Sequence, residues 1–238
     1  MSVLTLQLAG PLQAWGSSAR FARRTTEHAP TKSGVIGLLA AALGRRRTDD
    51  LSDLAALRFG VRVDQRGVPV RDYQTAQHFE NGRSMPVSER FYLSDAVFVA
   101  VVEGDGDLID RLHRALQTPV FLPYLGRRSC PPSRPVDLAV HHDQTLGERL
   151  KDEPWRASPW HQRTHRKPTV RLEAIVEANG DEGPVDTLRD QPLSFDPRHR
   201  RYALRGIRHD HVEIPNPVAR HKAGPATDHD PTAVLRGQ

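Results

Sequence analysis

Basic side chains concentrate near the N-terminus, and their types suit the binding of nucleic acid. Between Arg20 and Arg47 there is one acidic residue, Glu27, and Trp15 and Phe21 lie beside the first arginines. The basic residues of this segment are Arg20, Arg23, Arg24, Lys32, Arg45, Arg46 and Arg47. Arginine neutralises phosphates, and aromatic rings and guanidinium planes stack on unpaired bases. The pattern favours single-stranded RNA binding over a solvated basic loop.

The same segment leads into a predicted helix over residues 31–43, with Thr31 as a capping residue. A helix N-terminus exposes free N–H groups and a positive dipole end, so we expect a phosphate site there. The sequence PTKSGVIG is not a Walker loop, because Thr31 stands where the pattern needs a glycine before Lys32 and Ser33. A nucleotidase is therefore not predicted.

Two further segments carry candidate RNA contacts. The run YLGRRSC contains Tyr124, Arg127 and Arg128, and adjacent arginines after a glycine turn can grip successive phosphates. Alone, this run also fits a basic turn at the end of a sheet. Residues 73–92 form a predicted arm that Tyr73 and Gln74 open, with Arg90 near its end. Such an arm fits contact with a nucleic acid strand or docking on a neighbouring protein.

Metal and catalytic motifs are weak. Of twelve histidines, the pairs His161 with His165 and His209 with His211 lack a third ligand at a known spacing. We expect no metal and no cofactor. His28, His78 and His113 are free candidates for a general base, yet no Ser-His-Asp or paired-carboxylate arrangement stands out. A metal-independent endoribonuclease is the alternative to a binding protein, and no catalytic residue is predicted.

The composition restricts the cellular compartment and the kinds of partner that we expect. The chain has 34 Lys and Arg against 29 Asp and Glu, a net charge of +5 and one cysteine, Cys130, which excludes an internal disulfide. The first residues alternate instead of forming a signal peptide. The apolar runs are shorter than the ~20 residues that cross a bilayer. We expect a cytoplasmic protein without a membrane partner.

Periodicity predicts an α+β fold. Residues 3–8 indicate a half-buried strand, and residues 96–102 a strand that is buried on both faces. With further strands at 58–64 and 120–125 and helices at 31–43 and 107–117, the order is β-α-β, an arm, then β-α-β, which is the ferredoxin-like (RRM-like) pattern. We predict a palm over residues 1–135 with the arm inserted at 73–92. A smaller β-containing C-terminal region at 136–215 holds strands at 170–177 and 200–208, and a mobile tail follows at 216–238.

Five motifs occur in order and carry a family resemblance: LAGPLQAWG, PTKSGVIGLLAAALG, FGVRVD, RDYQTA and PYLGRRSCPPSRP. The chain resembles the CasD family of subunits of the type I-E CRISPR complex Cascade, within the repeat-associated RNA-binding superfamily. The likeness extends from residue 1 to about residue 136. It implies a ferredoxin-like palm with a projecting β-hairpin thumb, which residues 73–92 would form.

The resemblance also implies a role and partners. It implies a non-catalytic subunit that holds the 5′ handle of CRISPR RNA and caps the backbone. Its neighbours would be CasC backbone subunits and the large subunit CasA, with target DNA in the assembled complex. A separate subunit, CasE, cuts the precursor RNA. Relatives in another subtype are nucleases with a Tyr, Lys and His set, but no lysine lies between Lys32 and Lys151 here, which argues against catalysis.

These considerations give a set of predicted RNA-binding residues. The expected phosphate contacts are Arg20, Arg23, Arg24, Lys32, Arg127 and Arg128. Trp15 and Tyr73 are expected to stack on bases or to shape the pocket, and Gln13, Ser33 and Gln74 to form hydrogen bonds. Arg90 and Tyr124 complete the predicted site.

Overall fold

A seven-stranded antiparallel sheet organises the chain, and a four-stranded sheet lies beside it. The computed structural model describes residues 1–17, 23–178 and 186–219. The strands are β1 (Ser2–Ala9), β2 (Leu12–Gln13), β3 (Arg23–Arg24), β4 (Arg58–Gln65), β5 (Val68–Gln74), β6 (Ser88–Ser94), β7 (Val97–Gly104), β8 (Asp137–His142), β9 (Thr169–Glu177), β10 (Asp186–Ser194) and β11 (Arg201–Pro215). The helices are α1 (Lys32–Ala42), α2 (Ser52–Ala55), α3 (Gly106–Gln117), α4 (Leu146–Asp152) and α5 (Pro159–Thr164).

The middle of the large sheet has the predicted element order. Its strands run β4-β7-β1-β8, with α1 between β1 and β4 in the chain and α3 between β7 and β8. This is the β-α-β-β-α-β arrangement of ferredoxin-like folds. The position predicted for the fourth strand was wrong, because residues 120–125 contain no strand and Asp137–His142 takes that place. The N–H groups of Val120 and Phe121 instead donate to carbonyl oxygens of α1.

The C-terminal strands extend the same sheet. From β4 the order continues through β9 and β11 to β10, so three C-terminal strands extend the sheet on this side, while β8 forms its opposite edge. Strand β10 was not predicted, because its sequence DTLRDQPLS lacks a regular apolar alternation and contains Pro192. The predicted tail was placed too early, since Asn216 is buried and its side chain donates to the carbonyl oxygen of His165 at 2.8 Å. Residues 220–238 lie outside the described residues.

Both faces of the central strands are covered. On one face Leu4, Leu6 and Phe98 belong to a core cluster that includes residues of α1 and α3. On the other, Val99 and Val101 pack in a second cluster that includes α4 and Trp155. The prediction for residues 96–102 is therefore confirmed. Strand β1 is more deeply buried than predicted, because the second cluster also covers the face that carries its polar side chains.

The predicted arm is a β-hairpin, and it is longer at its base than expected. Strands β5 and β6 pair from Val68 with Ser94 to Gln74 with Ser88. The other edge of β6 pairs with the short strands β2 and β3, so the arm is continuous with the N-terminal segment. Near the tip, Phe79 is fully exposed. In the described ranges, no helix has the length and apolar character that a membrane crossing requires.

Gly126 allows the loop after residue 120 to approach the N-terminal segment closely. Its φ is +82°, and a Cβ there would lie 1.8 Å from the carbonyl oxygen of Ala14. The N–H of Ala14 donates to the carbonyl oxygen of Leu125 at 3.1 Å, which holds the two segments together. Gly147, at an exposed position of α4, has no atom within 4 Å of such a Cβ.

We expect Gly126→Ala to destabilise the protein and Gly147→Ala to stabilise it. The left-handed backbone alone costs a side chain about 1–3 kcal/mol, and the overlap with Ala14 adds to that. Alanine in a helix is favoured over glycine by roughly 0.5–1 kcal/mol. Urea unfolding would measure both changes in the free energy of unfolding. Equal shifts in the two variants would contradict the close approach at Gly126.

Candidate nucleic-acid interface

An open groove of about 1960 Å³ lies between α1, the loop at 121–131 and the β10–β11 hairpin. Ten arginines line it, together with His199, and in the described chain no Asp or Glu does. We call it the arginine groove. Its arginines are Arg24, Arg45, Arg46, Arg47, Arg127, Arg128, Arg189, Arg198, Arg200 and Arg201. A surface so rich in arginine attracts polyanions.

The first wall of the groove begins where α1 ends. Gly44, with a φ of +78°, lets the chain turn out of the helix, and the N–H of Arg45 then donates to the carbonyl oxygen of Ala40. The Arg45 guanidinium forms a two-pronged hydrogen bond with Asp53, which lowers the pKa of that carboxyl. The next two residues, Arg46 and Arg47, are exposed. They therefore remain accessible to a ligand in the groove.

The second wall comes from the β10–β11 hairpin, and it was absent from the predicted site. Arg189 lies on β10, Arg201 begins β11, and the connection between the strands carries Arg198, His199 and Arg200. All five side chains are exposed. The run RHRR before Tyr202 was the visible signal. This run lies near the arginines after α1, more than a hundred positions earlier in the chain, because β9, β10 and β11 extend the palm sheet.

The N-terminus of α1 is closed to a phosphate by the protein itself. The carboxylate of Asp190 accepts from the N–H of Lys32 at 2.7 Å, and the Thr31 hydroxyl accepts from the N–H of Gly34 at 3.3 Å. The expected phosphate site is thus occupied by a carboxylate. The prediction that Lys32 contacts phosphate was wrong too, because its side chain is 1% exposed and its Nζ lies 3.1 Å from both carboxylate oxygens of Glu177. Burial lowers the pKa of Lys32 despite this partner.

Asp190 also joins the two walls. Its carboxylate accepts from the Nε and Nη2 atoms of Arg205 at 2.9 and 2.8 Å, and all of these atoms are buried. One carboxylate on β10 therefore binds the start of α1 and a side chain of β11. Because β10 and β11 carry the second wall, this contact sets the position of that wall relative to α1.

Gln13 and Trp15 are structural residues beneath the groove. The Gln13 amide donates to the carbonyl oxygens of Leu8 and Ala96 and accepts from the Trp15 indole at 3.1 Å, and both side chains are 0% exposed. Gln13 therefore has no free hydrogen-bonding group for RNA, and the buried Trp15 ring fits the predicted shaping of the pocket and not the stacking on a base. Trp15 does line the groove, and Gly34 packs directly on its ring, so it shapes the floor. Ser33 lines the floor as well and is nearly buried.

Arg127 links the arm to the groove. Its guanidinium donates to the carbonyl oxygens of Phe91 at 3.0 Å and of Arg24 at 2.8 Å, and it lies over the ring of Tyr92 at 4.7 Å. These contacts engage the donors that were expected to bind phosphate. Arg128 is exposed and has no hydrogen-bond or ion-pair partner among the described residues. It keeps its full set of donors for a ligand.

Apart from the buried Gln13 and Lys32, the described residues of the predicted site fall into two groups. The structure brings Trp15, Arg24, Ser33, Tyr124, Arg127 and Arg128 together along the groove. It leaves Arg23, Tyr73, Gln74 and Arg90 on the sheet of the arm, outside the groove lining. Tyr73 is exposed beside Arg71, Gln74 donates to Asp72, and Arg23 lies over the ring of Phe91. Arg20 lies outside the described residues.

Metal ligands do not converge in the described ranges. No three His, Cys, Asp or Glu side chains lie close enough together there to hold an ion. The rings of His161 and His165 are 4.8 Å apart and pack against Trp155. Through Trp155 this pair belongs to the packing on the face of the sheet opposite α1. Desolvation and the neighbouring His165 lower the pKa of His161.

Fold and groove together define an α+β protein with a ferredoxin-like sheet, a hairpin arm and a cationic groove. The family model described as CRISPR-associated protein (Cas_Cas5) matches residues 3–208. The chain belongs to the Cas5 family of CRISPR-associated proteins.

Relatives agree with this membership. The chain is 41% identical over 160 residues to CRISPR system Cascade subunit CasD of Escherichia coli (strain K12), a match that covers 58% of this chain and 71% of that protein. It is 33% identical to a chain of a structure described as a CRISPR RNA-guided surveillance complex, with 98% of each chain covered and a TM-score of 0.75. A crystal structure of a Cas protein is 40% identical, with 90% of this chain and 95% of that chain covered and a TM-score of 0.69. The resemblance inferred from the motifs is confirmed.

We expect Asp190→Ala to destabilise the protein strongly and Asp186→Ala to leave it nearly unchanged. Removing one partner of a buried ion pair costs about 3–5 kcal/mol, and here the start of α1 also loses an acceptor. Asp186 is on the same strand, but its side chain is 78% exposed, so its loss should change the free energy of unfolding by less than about 0.5 kcal/mol. Urea unfolding compares the two variants. Equal midpoints would contradict the linking role of Asp190.

Proposed function

We propose that this chain is the CasD-type subunit of a Cascade complex and holds the 5′ handle of CRISPR RNA in the arginine groove. The observation that carries the proposal is the lining of the groove, with ten arginines and no described carboxylate. Phosphates fix the position of an RNA strand, and exposed bases specify it. Relatives described as a Cascade subunit and as part of an RNA-guided surveillance complex support the same role.

The proposal places this chain among other components of the complex in the cytoplasm. Its neighbours are CasC backbone subunits and the large subunit CasA, with target DNA in the assembled complex. The tip of the arm supports contact with a neighbouring protein, because Phe79, Met85 and Val87 are all exposed there. Large apolar side chains grouped on a surface are typical of docking sites.

The proposed role is binding without cleavage. Cleavage of RNA without metal uses side chains that exchange protons at neutral pH. Of the residues that line the groove, His199 is the one histidine, and neither lysine nor carboxylate accompanies it in the described chain. The groove therefore offers many cations that bind phosphate but little acid–base chemistry.

We expect the double variant Arg198→Gln/Arg201→Gln to lower the salt dependence of RNA binding. Each phosphate contact with a single strand contributes about 0.7 to the slope of log affinity against log salt, so the slope should fall by about 1.4. Fluorescence anisotropy with single-stranded repeat RNA between about 50 and about 200 mM salt measures it. Arg163→Gln/Arg166→Gln removes the same charge at exposed positions in and after α5 and should leave the slope unchanged. Identical slopes in both variants would contradict binding in the groove.

We expect the purified chain to leave CRISPR repeat RNA intact in the presence of EDTA. His199 is the one histidine that lines the groove, and no lysine, aspartate or glutamate of the described chain lines it as a second acid–base group. EDTA removes any contribution of divalent metal. Gel electrophoresis of end-labelled repeat RNA provides the measurement. Defined cleavage products that disappear in His199→Ala would establish the alternative, an endoribonuclease.

A further inference from the structure

An exposed apolar strip borders the arginine groove at residues 120–122. Val120, Phe121 and Leu122 are 66%, 51% and 83% exposed. Phe121 and Leu122 line the groove, whereas Val120 does not. Exposed large apolar side chains that adjoin one another are uncommon on a protein surface unless they bind something. The proposed function, as stated so far, gives this strip no role.

The backbone of the strip is held firmly against the end of α1. The N–H of Val120 donates to the carbonyl oxygen of Ala42 at 3.0 Å, and that of Phe121 donates to the carbonyl oxygen of Ala41 at 3.2 Å. The side chain of Val120 fills the space that a Cβ of Gly44 would occupy, with its methyl groups 3.0 Å from that position. The backbone of Phe121 is therefore held at a fixed place beside the groove.

Phe121 lies close to groups that bind phosphate. The helix end to which its backbone is bonded continues directly into Arg45, Arg46 and Arg47, all of which line the groove. A single strand whose phosphates contact these arginines directs its bases away from them. A half-exposed aromatic ring at the same edge of the groove offers such a base a flat apolar face.

We infer that Phe121 is a stacking platform for one unpaired base of the RNA in the groove. The inference rests on the proposed function and names a specific contact within it. It commits to RNA as the occupant, because the strip shares one groove with ten arginines and no described carboxylate. A purely apolar protein partner would have to cover guanidinium groups of the groove as well. Burial is costly for a cation such as Arg128, which has no ion-pair partner among the described residues.

The test is a comparison of Phe121→Ala, Phe121→Trp and Leu122→Ala in the full chain, by fluorescence anisotropy with single-stranded repeat RNA. One stacked base is worth about a 5- to 150-fold change in affinity. We expect a loss in that range for Phe121→Ala and retained affinity for Phe121→Trp. Leu122→Ala is the matched control, because Leu122 lines the same groove without a π face. The salt slope should not change in Phe121→Ala, because no phosphate contact is lost.

RNAs with one abasic position each identify the base. At one position, removal of the base should weaken binding to the wild-type chain and abolish the difference between wild type and Phe121→Ala. Equal affinity of wild type and Phe121→Ala for intact RNA would overturn the inference. So would an equal loss in Leu122→Ala, or a loss that persists with every abasic RNA. Absence of RNA binding by the wild-type chain would overturn the proposed function itself, a result distinct from these.

Discussion

The carboxylate of Asp190 is the contact on which the geometry of the groove depends. It is buried, it accepts from the first N–H of α1, and it pairs with Arg205 on β11. A second, partly buried pair, between Lys32 and Glu177 on β9, lies alongside. Together they fasten the C-terminal strands to a helix from the first third of the chain. Without them, the two walls of arginines would have no fixed separation.

The protein uses arginine in two ways that differ in their partners. Buried arginines are neutralised in place. Arg62 is fully buried, pairs with Asp64 and donates to three carbonyl oxygens around the end of α4, and Arg205 pairs with Asp190. The exposed arginines of the groove mostly lack such acceptors. Arg45 is an exception, because it pairs with Asp53. The described carboxylates lie outside the groove lining, so the groove presents a net positive surface where a polyanion would bind.

The arm is mechanically joined to this surface. Strand β6 pairs with β5 on one edge and with β2 and β3 on the other, and Arg127 donates hydrogen bonds to the backbone of both β6 and β3. A change in the position of the arm would therefore displace Arg24 and Arg127 in the groove. In the proposed function, this connection links contacts of the arm with neighbouring subunits to the hold on the RNA handle.

The sequence by itself determined the element order and the family. Alternation in residues 3–8, the apolar run at 96–102 and the helical spacing at 31–43 are local patterns. Each predicted the right type of element, although the strand at 3–8 is buried on both faces and not on one. The five ordered motifs carried the resemblance. Arg24, Arg127 and Arg128, which the sequence predicts as phosphate contacts, all line the groove, because adjacent arginines are visible without a structure.

Only the tertiary structure decided which of the basic and polar residues face the groove. Lys32 and Gln13 look like ligand-binding residues in sequence, but β9, β10 and the turn near Ala96 supply their partners and bury them. The second wall of the groove could not be predicted for the same reason. The run RHRR lies across the groove from α1 only because three C-terminal strands extend the sheet. Burial and charge pairing depend on contacts between residues far apart in the chain, and local patterns do not contain them.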